Sequence, residues 1–267
     1  MTDVPSELMS VPSRLGASAR LDGSRLVIDV LPQPATLHHG IVRASVLSFA
    51  VDAVAGISID QDPTLWAFTT DMSVRMRPVP APDCISAVNT VLREGRRSVT
   101  CRVDLHDPAG GLVAAGAIGF AKVPRKDSDP PKPALTPEDA AVVFRDLGTL
   151  SLPLRDEAGI EVVDAAEGIV EVEVVPALLN PAGTLQGAMV MLLAECATEE
   201  VAASRADAPV VVTELDVRYL DKARSGTVRT RTRRLGDAAD DPVQVELVDT
   251  GTGRVTALVH ARATILR

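Results

Sequence analysis

Aromatic side chains are scarce, at one Trp, one Tyr and four Phe in 267 residues, so Val, Leu, Ile and Ala must fill the core. Positive charge is also short: 27 Lys and Arg stand against 36 Asp and Glu, a net charge of -9 and a sequence pI near 5.0. This removes the electrostatic footprint that sequence-independent nucleic-acid binding requires. No run approaches the roughly 20 apolar residues that span a bilayer. The opening MTDVPSELMSVPSRLG has neither the basic nor the apolar region of a secretory signal, so a cytoplasmic protein is expected. Cys84, Cys101 and Cys196 are odd in number and lack CxxC or Cys/His spacing, which argues against a disulfide framework or a zinc site and for buried thiols. His38 and His39 are adjacent, a spacing expected to send them apart, and lack nearby ligand partners, and no G-x-S-x-G elbow supplies a nucleophile. With 46% apolar and 24% charged residues, a folded globular chain is expected.

What the chain does contain is an internal repeat. Gln33 to Gly56 lies over Asn180 to Ala203 without a gap at an offset of 147, with Pro34 on Pro181, Ala35 on Ala182 and Gly40 on Gly187. Further on, TDMSVRM (Thr70 to Met76) matches TELDVRY (Thr213 to Tyr219) at an offset of 143. Arg93 to Gly95 parallels Arg234 to Gly236, and Asp107 to Ala115 parallels Asp249 to Ala257. Four blocks recur in one order, as short loop insertions between two copies of one domain would leave them.

Each copy begins with a short alternating strand, Leu26 to Val30 or Ile169 to Val174. A helix then opens at Gly40 or Gly187 and is apolar almost all round, which marks it as buried. After it the period changes to two, predicting strands over 66–77, 85–92, 98–106 and 112–123, and over 210–220, 227–234, 243–248 and 255–266. The reading is α+β: residues 1–123 form one domain, 124–148 a Pro-rich connector, and 149–267 the second domain. In the connector, Thr136-Pro137-Glu138-Asp139 signals a helix start, and that short helix is expected to pack on the second domain.

A strand, then N-x5-[HQ]-G opening a buried helix with an acid nine residues after the His/Gln, then an antiparallel meander, resembles the hotdog-fold acyl-CoA thioesterases, such as the phenylacetate-pathway and 4-hydroxybenzoyl-CoA enzymes. The resemblance covers nearly the whole chain, once per copy. It implies two tandem hotdog domains, each an antiparallel sheet wrapped around a long buried helix. The second copy carries the pattern in Asn180, Gln186, Gly187 and Glu195. The first has Gln33, His39 and Gly40, but its aligned acid position is Ser48, with Asp52 one turn further on, opposite Glu199. In this family the acid of one unit faces the oxyanion loop of the other. Glu195 is therefore expected opposite Gln33, His39 and Gly40, leaving Asn180, Gln186 and Gly187 against Ser48 and Asp52 in a degenerate site.

The residues support that assignment on their own terms. Glu195 follows AMVMLLA, the most apolar stretch of the chain, and a buried carboxylate suits base or nucleophile work on an acyl carbon. A glycine at a helix start lets a backbone N–H reach a developing oxyanion. The expected activity is hydrolysis of an acyl-CoA or similar acyl thioester to acid and thiol, with no metal or redox cofactor and coenzyme A only as part of the substrate. Arg75, Arg77, Arg218, Lys222 and Arg224 are candidates to hold its phosphates. Other readings are a catalytically silent acyl-CoA binding or regulatory module and a hydratase on the same fold. The aliphatic composition hints at a medium or long acyl chain, and the double-domain chain is expected to form a homo-oligomer.

Overall fold

The computed structural model describes residues 10–127, 132, 135–144 and 148–267. The first repeat runs β1 (Ala17–Asp22), β2 (Arg25–Val30), the two-residue strands β3 (Leu37–His38) and β4 (Ile41–Val42), α1 (Ala44–Ile59), β5 (Leu65–Met76), β6 (Ile85–Glu94), β7 (Ser98–His106) and β8 (Leu112–Pro124). Two short helices follow, α2 (Pro137–Val143) and α3 (Leu154–Glu157). The second repeat is β9 (Glu161–Asp164), β10 (Ile169–Glu173), α4 (Gly187–Ala203), β11 (Val210–Tyr219), β12 (Thr227–Arg234), β13 (Val243–Asp249) and β14 (Val255–Ile265).

The long strands alternate as half-buried strands must. In β7, Val99, Cys101, Val103 and Leu105 point inward while Ser98, Thr100 and Arg102 point out. The two long helices have little polar face to offer water, so each is covered by the strands of its own repeat, and they also pack on each other. Leu47 and Leu192 are both fully buried, and truncating either to Ala would cost about 2–5 kcal/mol through the cavity left behind.

One twelve-stranded antiparallel sheet results, in the order β1-β2-β6-β7-β8-β5-β11-β14-β13-β12-β10-β9. The repeats join edge to edge through β5 and β11, where Ser73 pairs with Asp216. Those residues are 143 apart, and so are the first residues of α1 and α4 and of β8 and β14. At the centre of the junction Ser73 thus pairs with its own counterpart, and the flanking pairs lie symmetrically about it, which is the signature of a twofold relation within one chain.

Three expectations are corrected. The first long helix opens at Ala44, with Arg43 as N-cap, and not at Gly40; Gly40 lies in the β3–β4 turn at a φ of 78°, a left-handed conformation that suits glycine. Helix α2 has the predicted start, with Thr136 accepting from the Asp139 N–H, but it packs on β1, β2 and α1 of the first repeat. Strands β1 and β9, at the two ends of the sheet, were absent from the sequence reading. The three cysteines are free thiols. Among the described residues, no helix is long and apolar enough to cross a membrane.

Candidate active site

The helix starts set the true correspondence of the repeats. Arg43 matches Gln186 as N-cap, Ala44 matches Gly187, Asp52 matches Glu195, and Gly56 matches Glu199. The ungapped 147-residue alignment was therefore four residues out. A slip of four rotates an α-helix by only about 40°, so two helices that are apolar nearly all round hide it. The offset of 143 in the strand block, extended back, places Asp52 on Glu195.

Glu195 does reach the other repeat, but its partners differ from those expected. It is 1% exposed. Its carboxylate accepts from the Ala44 N–H at 2.8 Å, the Ser45 N–H at 3.2 Å and the Ser45 hydroxyl, so it caps the first turn of α1, whose own N-cap side chain does not. Arg43 Nη1 lies 3.7 Å from Glu195 and donates to both oxygens of Glu199 at 3.0 and 3.1 Å. His38 Nε2, partly exposed, is 3.7 Å from Glu199 at the edge of this buried cluster. Two acids share one guanidinium: burial, reinforced by Glu195, pushes the Glu199 carboxyl up to about 8 against the pull of Arg43. Burial and the neighbouring Arg43 lower His38 to about 4. Burial alone would lower Arg43, but the two carboxylates outweigh it and hold the guanidinium charged.

Gln33, His39 and Gly40 stand outside this cluster. The Gln33 amide donates to the Arg14 carbonyl and accepts from the Leu150 N–H, tying together the N-terminal segment and the start of the second domain. His39 is exposed at a φ of 49°, and the Gly40 carbonyl accepts from the Ala81 N–H. None of the three meets Glu195 in a hydrogen bond.

The opposite side, expected to be degenerate, is open. Asp52 on α1 accepts from the Thr69 hydroxyl at 2.8 Å and from Gln186 Nε2 at 3.4 Å. Gln186 is itself clamped, because its Oε1 accepts from the Ala188 N–H at the start of α4. Thr69 sits beside a β-bulge in β5, at the register shift before Asp71, a device that re-aims a side chain out of the strand's alternation. The Tyr219 hydroxyl donates to the Gly187 carbonyl at 3.2 Å. Among the described residues nothing accepts from the Gly187 N–H. Its counterpart, the Ala44 N–H, is the group that Glu195 occupies.

Two clefts of about 250 and 360 Å³ meet at this point and share Asp52, Phe68, Thr69 and Asn180. Asn180 shapes the loop, its Oδ1 accepting from the Ala182 and Thr184 N–H groups. Burial raises the Asp52 carboxyl above the ordinary aspartate range, and the Thr69 hydrogen bond draws it part of the way back. Burial and the Asp52 charge push the Tyr219 phenol well above its usual value. At the sealed side, the positions of Thr69, Gln186, Gly187 and Tyr219 are held by Val212, Arg43, Ala44 and Met76 at the 143-residue offset. Gln186 meets Asp52, and Asn180 and Gly187 line the same cleft as Asp52; the sequence sets Asp52 opposite these three but points to neither Thr69 nor Tyr219.

No family model matches the chain, and no curated protein is similar to it in sequence. Solved structures are similar over nearly the whole length. A hot dog fold protein of unknown function from Alicyclobacillus acidocaldarius is 11% identical, covers 99% of each chain and has a TM-score of 0.59. The chain is a double hotdog. A TesB protein from Mycobacterium avium subspecies paratuberculosis is 15% identical, covering 96% of this chain and 98% of its own at a TM-score of 0.62. An acyl-ACP thioesterase from Bacteroides thetaiotaomicron is 10% identical, covering 89% and 97% at 0.62.

In this double hotdog the cations proposed for phosphate divide into two groups. Arg75 pairs with Glu214 at 3.0 Å and Arg218 with Asp216 at 2.8 Å, both at the β5–β11 junction. Arg77 donates to the Leu112 carbonyl. Lys222 stands at the mouth of the larger cleft with its ammonium 3.8 Å from the Phe68 ring centroid, and Arg224 lies beside the Gly183 turn.

Proposed function

We propose that this chain hydrolyses an acyl thioester, coenzyme A-linked or carrier-linked, at one site per chain, formed by Asp52 and Thr69 of the first repeat with Gln186 and Gly187 of the second. The observation that carries the reading is the unfilled Gly187 N–H at a helix N-terminus, beside a cleft-facing carboxylate that two donors hold in place. The chemistry follows from the parts. Asp52, with its affinity for a proton raised, takes one from a water molecule; the hydroxide oxygen adds to the thioester carbon while the Gly187 N–H and the helix start stabilise the oxygen that gains charge. The tetrahedral adduct collapses by breaking the C–S bond, and the thiolate leaves and takes up a proton. Thr69 and Gln186 are positioning residues, keeping the carboxylate aimed at the water.

Fold neighbours named as thioesterases support the reaction class, although at these identities their residues do not transfer. Glu195 is assigned a structural role, because a carboxylate that already fills a helix N-terminus and borders Arg43 has neither space nor a free face for substrate. Lys222 and Arg224 are the cations we assign to the phosphates of coenzyme A. Release of free thiol from acetyl, hexanoyl and phenylacetyl thioesters of coenzyme A tests the proposal, with Asp52→Asn as the control. Tight binding without thiol release would favour a silent binding module.

A further inference from the structure

The smaller cleft runs beside the C-terminal half of α1. Its lining includes Asp52 at one end and Asp60 at the other, eight residues apart, or about 12 Å at the rise of an α-helix. Four of the six aromatic residues of the chain border the two clefts: Trp66, Phe68 and Phe120 line the smaller one, and Tyr219 the larger. In a chain so poor in aromatic rings this concentration marks a surface built to hold an apolar group. The larger cleft instead presents Thr70, Asp221, Lys222 and Thr256, partners suited to the amides and charges of a thiol carrier. The thioester carbon would lie where the clefts meet, with the acyl group in the smaller one.

Lys132 of the connector lines the cleft beside Asp60. Its side chain is only 5% exposed. Its ammonium donates at 2.8 Å to Asp60 Oδ1, to the Asp62 carbonyl and to the Leu65 carbonyl, and it lies 5.7 Å from the Trp66 ring centroid. An ammonium has three donors, and all three are spent on the protein. Lys132 therefore has no donor left to recognise a carboxylate or phosphate on a ligand, and what it presents to the cleft is a fixed wall.

We propose that the connector between the repeats sets the upper length of the acyl group: Lys132, pinned to Asp60, ends an apolar subsite that admits short or ring-bearing acyl groups and rejects long unbranched ones. This deepens the thioesterase reading and rests on it for substrate turnover, but the subsite can be tested without turnover. Trp66 is the only tryptophan, so its emission reports occupancy of this cleft. Hexanoate, phenylacetate and dodecanoate are titrated into the full chain, and hydrolysis of hexanoyl, dodecanoyl and acetyl thioesters of N-acetylcysteamine is followed in parallel. Hexanoate and phenylacetate should shift Trp66 emission saturably, and dodecanoate at least tenfold less tightly.

Lys132→Ala should narrow the gap between hexanoate and dodecanoate tenfold or more, in binding and in kcat/KM. Gly56→Leu supplies a second variant that should fold, since a Cβ there meets nothing within 4 Å and leucine favours the helix. It should abolish the hexanoate response while sparing acetyl thioester hydrolysis. An unchanged hexanoate-to-dodecanoate ratio in Lys132→Ala, or Trp66 emission indifferent to every acid, overturns the proposal. If no thioester is cleaved yet the titrations behave as stated, the hydrolase reading falls and the subsite stands.

Discussion

Asp52 and Glu195 stand at the same place in the two repeats, each eight residues past the first residue of its long helix. One opens onto two clefts and the other seals a helix end. The difference is one methylene and its surroundings: Glu195 reaches the Ala44 N–H, and Asp52, drawn to Thr69, leaves the Gly187 N–H free. Asp52→Asn should therefore lower kcat by several orders of magnitude with KM little changed, because it removes the proton acceptor and keeps the shape. Glu195→Gln should keep kcat within a few-fold and lose about 1–3 kcal/mol of stability through weakened buried hydrogen bonds. Thiol-release kinetics and thermal melts on both variants decide it; an inactive, fully stable Glu195→Gln returns catalysis to the other side.

Gly187 is the expected oxyanion donor. A Cβ there would approach the Tyr219 hydroxyl to 2.9 Å, displacing the phenol that holds the helix start. Gly187→Ala keeps the N–H but sets a methyl group beside it and shifts the helix start, so kcat should fall by up to about 10²-fold, the order found when such a donor is no longer aimed at the oxyanion. Gly40→Asn, at a left-handed position that asparagine tolerates, should leave kcat unaltered. Equal losses in the two variants would contradict the pairing of Gly187 with Asp52.

The acid limb of kcat/KM should reflect Asp52. The base works only unprotonated, so activity falls as pH drops through its raised pKa, above the ordinary aspartate range. Thr69 donates to the charged form and lowers that pKa. Thr69→Val should therefore move the limb further up in pH as well as reduce kcat; a limb that moves down would remove Asp52 as the titrating base.

Stability carries a separate pH signature from the sealed side. Glu199 titrates at about 8 in the fold against an ordinary value of 4.5, so between these values the native state holds the extra proton. The stability it confers is complete below about pH 4.5 and is lost as pH rises to about 8. His38, depressed to about 4 from 6.5, acts in the opposite sense, its contribution being lost as pH falls from 6.5 towards 4. Glu199→Gln should flatten the fall of Tm between about pH 5 and pH 8; an unchanged slope would show that another group titrates there.

Lys222→Glu should raise KM for coenzyme A thioesters several-fold, make it less sensitive to salt and leave kcat nearly unchanged. Arg218→Ser should not raise KM, because that guanidinium is engaged with Asp216. The reverse ranking would move the phosphate site to the β5–β11 junction.

Much of the fold was legible because the long strands alternate cleanly and the two buried helices are apolar on nearly every face. That same uniformity concealed the register of α1, since a one-turn slip leaves an all-apolar helix looking unchanged. The end strands were harder: ASARLD and EVVD are short and mix small, charged and apolar residues. Gln186 and Gly187 showed through their spacing, because an N-cap followed by a helix start is written locally. Thr69 could not be read as a site residue, since its aim depends on a bulge against β8, a property of pairing between distant segments. Arg43 likewise looked like an ordinary basic residue until its acids arrived from the other repeat.

The junction at Ser73 and Asp216 has a consequence for how such a molecule can change. In an assembly of two identical chains every substitution appears twice, so a residue that closes one site closes both. Carrying the two halves on one polypeptide lifts that constraint. Arg43 and Glu195 brace one side, where Val212 stands in place of Thr69, while Gln186, Thr69 and Asp52 keep the other open to the clefts, and each side can change without the other.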